Sequence, residues 1–135
     1  MLTATLTGVD DVQRLLETIA PRQAVNIMRA TVHGIAGGIR DDAKKAMPRD
    51  SGDMIKGTKS KRERTRNGLA LSTVRVDPSA YYWRFLERGD GPDGIDHAFF
   101  AKAMALYRGD QDRIFVNEFG KKFEAALARA RKRAG

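Results

Sequence analysis

The chain has 135 residues, with 25 lysines and arginines against 17 acids, a formal net charge of +8, and no cysteine. Missing cysteine excludes disulfides and thiolate metal sites and suits a reducing compartment. No apolar run is long enough to span a membrane, and Met1 to Asp11 lacks the basic start and apolar stretch of a signal peptide, so cytoplasmic synthesis without export is expected. The length suits a single domain, residues 1–135. A basic balance of this size draws nucleic acid, acidic protein or anionic membrane surfaces. The cations are clustered. Lys56, Lys59, Lys61, Arg62, Arg64 and Arg66 stand with Glu63 alone, and Lys121, Lys122, Arg129, Arg131, Lys132 and Arg133 with Glu124 alone. Each cluster reads equally as a solvated segment or a polyanion contact.

Along the chain, Thr7-Gly8-Val9-Asp10 predicts a turn into a short helix, capped by Asp10 or Asp11 and carrying an apolar stripe of Val12, Leu15, Leu16 and Ile19. Pro21 ends that helix or opens the next. In the second helix Val25, Met28, Val32, Ile35, Ile39, Ala43 and Ala46 recur at steps of three and four, which places them on one face. Gly34, Gly37 and Gly38 each cost a helix about 1 kcal/mol against alanine. They imply either close approach of another backbone or a break near Gly37. Pro48 turns Met47 away from helical angles and stops the helix.

Arg49-Asp50-Ser51-Gly52 is a turn. Met54 to Thr58 reads as a short strand and Leu69 to Val76 as a better one. The intervening Lys59–Gly68 is nearly devoid of apolar side chains. Residues 54–76 thus predict a hairpin with a long, basic tip, Lys56 to Arg66, beyond ordinary hairpin loop length. Ala80 to Glu87 is aromatic-rich and fits a strand or a helical turn. Arg88 to Gly94 is a loop. Phe99, Phe100, Ala103, Met104 and Tyr107 predict a third helix with Asp96 as cap, and a last helix follows over about 111–133, whose basic end suits the negative helix terminus.

Catalytic constellations are missing. His33 and His97 have no HExxH spacing, Ser51 lacks a G-x-S-x-G frame, and Gly34-Ile-Ala-Gly-Gly lacks the Lys-Ser/Thr ending of a phosphate loop. One acid–base set exists, Glu87 with Asp96 and His97, with Asp90 and Asp93 nearby in sequence. No nucleophile or substrate anchor accompanies it, and a polar loop pairing its acids with Arg84, Arg88 or a neighbouring subunit is the favoured reading. No catalytic residue, metal or cofactor is expected.

Three stretches in fixed order carry a resemblance: Pro48-Arg49-Asp50-Ser51-Gly52-Asp53-Met54 after an amphipathic helix, Tyr81-Tyr82-Trp83-Arg84-Phe85-Leu86-Glu87-Arg88-Gly89-Asp90, and His97-Ala98-Phe99-Phe100-Ala101-Lys102-Ala103-Met104. Over roughly residues 10 to 130 the chain resembles the small head–tail joining, or tail-completion, proteins of long-tailed bacteriophages and prophages. It departs from that pattern at Asp90, His97 and Ala101, so no contact in the Arg88–Asp96 loop is carried over. The resemblance implies a non-enzymatic neck or tail protein that forms a homo-oligomeric ring, a hexamer, around the DNA channel. Its partners would be other neck proteins (adaptor, stopper, terminator) or the tail tube, with non-specific contact to packaged DNA and no membrane. A tail-terminator ring and a stand-alone nucleic-acid-binding protein are the alternatives.

The fold expected is α+β: a small antiparallel sheet with a long basic hairpin tip, packed against a long helix in the N-terminal half and two C-terminal helices. Lys56, Lys59, Lys61, Arg62, Arg64 and Arg66 are the candidate contacts to the DNA channel or an acidic partner ring. Tyr81, Tyr82, Glu87, Arg88, Asp90, Arg129, Arg131 and Arg133 are the candidate subunit interface. Glu87 has a second reading as a helix cap, Trp83 and Phe85 read as core, and Met54 is expected to fold back on the long helix.

Overall fold

The structure, a computed structural model, describes residues 8–47, 52–64, 69–80, 83–88 and 98–134. It is α+β, mostly helical with a two-stranded antiparallel sheet.

The first helix, α1 (Val9–Thr18), follows the predicted stripe, with Val12 and Leu15 buried. Its N-cap is Gly8, which has no side-chain bond to offer. Asp10 and Asp11 instead lie in the first turn, where their charges favour the positive end of the helix dipole. Pro21 opens α2 (Pro21–Ala46), which runs unbroken through all three glycines. At 26 residues it is about 39 Å long, and it serves as the spine of the molecule.

Two apolar clusters line that spine. Around its N-terminal half, Ile27 packs with Val12 and Leu15 of α1 and with Val116, Phe119 and Phe123 of α6 (Gln111–Ala134). Around its C-terminal half, Ala43 and Met47 pack with Met54, Ala80, Phe99 and Ala103. Because α2 is covered from different sides along its length, its buried positions do not follow one stripe. Ile27, Thr31, Ile35, Ala36 and Ala43 are the buried set, while Val25, assigned to the core face by spacing, is 48% exposed. Thr31 is tolerated in the interior because its hydroxyl donates to the Ile27 carbonyl at 2.8 Å.

At Gly34 neither expectation for these glycines holds: the helix does not break, and no other backbone is its nearest neighbour. A β-carbon there would lie 2.5 Å from Glu118 Oε2 and 3.3 Å from Lys122 Cε, so the close neighbour is a pair of α6 side chains rather than a backbone. A β-carbon on Gly38 would meet nothing within 4 Å.

The helix ends as predicted, with Met47 in extended conformation before Pro48. Residues 48–51, the expected turn, lie outside the described residues. The next segment corrects the sequence reading. Met54–Thr58 is not a strand: Gly52–Gly57 forms a short helix, α3, and the first strand, β1, is Thr58–Arg62. One helical turn lets Met54 reach the cluster under α2, where it is fully buried. It also sets Thr58 Oγ1 2.7 Å from the Met54 carbonyl. Met54 does fold back on the long helix.

The second correction concerns the basic tip. Lys59–Arg62 belongs to β1, not to a loop. It pairs antiparallel with β2 (Ser72–Val76), from Thr58 opposite Val76 to Arg62 opposite Ser72. Glu63 extends the ladder through its N–H to the Leu71 carbonyl. The second strand is therefore shorter than the predicted Leu69–Val76, and Leu69 is 71% exposed. A 3₁₀ turn, Pro78–Ala80, leads to α4 (Trp83–Arg88), which settles the aromatic segment as helical where it is described. Trp83 is half-buried and meets Phe100 edge-on at 5.3 Å between ring centroids, in keeping with its core reading. The Phe85 side chain lies outside the description. The last two helices are α5 (Phe99–Gly109) and α6.

Candidate functional site: a basic groove

The pleat of β1 divides the basic run in two. Thr58 and Ser60 face α2: Thr58 is fully buried, and Ser60 Oγ accepts from Arg40 Nη1 at 2.9 Å. Lys59 and Lys61 alternate with them and are exposed on the other face. Lys59 lies opposite Arg75 in the ladder, a like-charge pairing that Glu63 moderates by accepting from Arg75 Nη2 at 2.6 Å and from Thr73 Oγ1 at 3.0 Å.

Arg62, at the end of β1, returns to the α2 side. There it joins Arg29 of α2 and Lys122, Arg129 and Arg133 of α6 around a groove of about 570 Å³. The floor is apolar, with Ile27, Phe123, Ala126 and Leu127 among its residues, and none of the lining side chains is acidic. Two basic segments some sixty positions apart in sequence thus converge on one concavity. His33, one turn along α2 from Arg29, records the same field. Burial first, then the charges of Arg62, Arg40 and Lys122, hold its imidazole below the ordinary value. Its Nδ1 lies 3.3 Å from Ser72 Oγ.

The other candidate residues are dispersed. Lys56 is exposed at the end of α3, and Arg64 just beyond β1. Arg66, Tyr81, Tyr82 and Asp90 lie outside the described residues. Arg88 is exposed at the end of α4; Arg131 is exposed on α6 and does not line the groove. Glu87 is a helix cap: Oε2 accepts from the Phe100 N–H and Oε1 from the Ala101 N–H, each at 3.1 Å. The predicted cap, Asp96, lies outside the described residues, as does His97. Both carboxylate oxygens of Glu87 are thereby held on backbone amides. Among the described residues, no group of three or more histidine and acidic side chains is arranged to hold a metal ion, and no helix is long and apolar enough to cross a membrane.

Sequence reasoning missed Arg29 and the role of His33. A signal was present: Asn26, Arg29 and His33 recur at steps of three and four, a polar stripe beside the apolar one on α2.

The chain belongs to the family described as "Bacteriophage HK97-gp10, putative tail-component", whose profile matches residues 10–89, from α1 through α4. It is a structural component of the phage tail, and as such a virion protein that contacts other phage tail proteins. No curated protein and no solved structure matches the chain.

Proposed function

We propose that the chain joins the tail to the head and completes the tail, acting without catalysis as one subunit of an axial ring, a hexamer, around the DNA channel. The family match carries this reading. It is supported by the hairpin, whose outward face presents Lys59 and Lys61 from a paired strand. A ring needs heterologous contacts, one surface of each copy meeting a different surface of the next. Tyr81, Tyr82, Arg88 and Asp90 form one proposed surface, with Glu87 acting there by fixing α5. The end of α6, with Arg129, Arg131 and Arg133, forms the other. In this arrangement Lys56, Lys59, Lys61 and Arg64 face packaged DNA or an acidic partner ring.

Removing the gene from the phage that carries it tests the proposal by electron microscopy of the lysate. Filled heads and free tails that fail to join are expected, restored by the wild-type gene supplied in trans. Joined virions of normal appearance in its absence would refute the role. Joined or unjoined tails of excessive length would instead assign the chain to the tail terminator.

A further inference from the structure

The groove between α2 and α6 combines two features that a phosphate-binding surface does not need together. Its rim is cationic from three separate elements: Arg62 from β1, Arg29 from α2, and Lys122, Arg129 and Arg133 from α6. Its floor is apolar and continuous with the first cluster, since Ile27 and Phe123 belong to that core and Ala126 and Leu127 pack against it. Duplex DNA would satisfy the arginines and leave the floor unfilled, because phosphates carry no apolar group to place there.

We propose that this groove docks an acidic amphipathic helix of a partner protein, its leucine-like side chains on the floor and its carboxylates against the rim. The proposal rests on the reading of the chain as an assembling tail component and specifies the chemistry of one partner segment. Helix-in-groove recognition reads apolar anchors at spacings of three and four residues, and two flanking helices with a strand end between them offer that geometry. The five cations set the sign of the occupant. Arginine at the rim suits carboxylates in particular, since its planar fork can donate to both oxygens of one group. Three of the five cations lie on α6, beyond residues 10–89, so the groove is completed by a part of the chain that the family match does not cover.

The probe is a fluorescein-labelled peptide of glutamates with leucines at positions i, i+4 and i+7, measured by anisotropy on the full chain at physiological salt. Its control is the same peptide with serine for leucine, and a 20-base-pair DNA duplex is run alongside. The leucine peptide is expected to bind at least tenfold tighter than the serine peptide. Arg129→Glu with Arg133→Glu removes rim charge, and Ala130→Trp fills the groove without changing charge. All three positions are exposed, so the fold is spared. Each variant is expected to weaken the leucine peptide at least tenfold, whereas Ala128→Trp, on α6 but outside the groove, leaves it unchanged. Equal binding of the two peptides, no binding of either, or indifference to Ala130→Trp overturns the proposal. So does duplex binding that Ala130→Trp abolishes, which would make the groove a nucleic-acid site. These outcomes leave the head–tail joining role standing, and normal virions in the absence of the gene would leave the peptide result standing.

Discussion

Replacing Glu87 by alanine removes a cap that joins two distant motifs. The carboxylate accepts the N–H groups of Phe100 and Ala101 at 3.1 Å each, and the Ala98 N–H bonds to the Glu87 carbonyl at 3.3 Å, so α4 holds the start of α5 by three bonds. Two of these go with the side chain. Phe100 is half-buried and Ala101 exposed, so water can replace part of the loss. The cost is therefore that of a helix cap, about 1–2 kcal/mol, with about 0.5 kcal/mol more for a negative charge lost at a helix N-terminus. A total of about 2 kcal/mol corresponds to a fall in Tm of roughly 6–10 °C for a chain of this size. Glu87→Gln keeps the length and one acceptor oxygen, and about half the loss is expected. Urea denaturation followed by circular dichroism gives both values, and amide hydrogen exchange localises them: Phe100 and Ala101 should lose protection before the rest of α5. The reasoning fails if Glu87→Ala lies within about 0.5 kcal/mol of wild type, or if exchange at those two amides is unchanged.

The glycines of α2 should respond unequally. Gly38→Ala puts a β-carbon in open space on a continuous helix and should stabilise by about 0.8–1 kcal/mol. Gly34→Ala has the same helical gain but drives Glu118 from its position, so its gain in the same urea titration should be clearly smaller. His33 predicts a pH effect. Its folded value lies below the 6.5 of the unfolded chain, so the folded state disfavours the proton. The contribution is fully present above pH 6.5 and declines as pH falls through that value toward the folded one, because the unfolded state then binds more protons. The loss of stability of wild type between pH 7.5 and pH 5.5 (roughly one unit either side of the histidine midpoint) should shrink in His33→Gln. An identical pH dependence in the two proteins would refute the assignment.

Several features were legible in the sequence because they are set locally. The stripe of α1, the start of α2 at Pro21 and its end before Pro48 follow from period and from proline geometry alone. The fold class followed from the same signals, and the ordered motifs pointed to the family. Glu87 as a cap was one of two readings of that residue; seeing the cap needed α5 beside α4.

Other features depended on what lies across the chain. Met54 and Thr58 alternate as a strand would, yet one helical turn buries both, because the cluster beneath α2 rewards that placement. Lys59–Arg62 carries no strand signal in its composition. It is a strand because Ser72–Val76 supplies the ladder and Arg40 reaches Ser60. Val25 fits the apolar period of α2 and is exposed, while Ile27 is buried, because α1 and α6 cover a different side of the helix than spacing alone selects. The groove is the clearest case. The amino-acid sequence by itself determined that the protein is basic and that its charge lies in two clusters. Only the tertiary structure decided that the pleat of β1 would put Lys59 and Lys61 on one face and Arg62 on the other, to meet Arg29, Lys122, Arg129 and Arg133 over an apolar floor. Alternation along a strand and the packing of α6 on α2 are relations between segments, and neither is written in the order of residues within one.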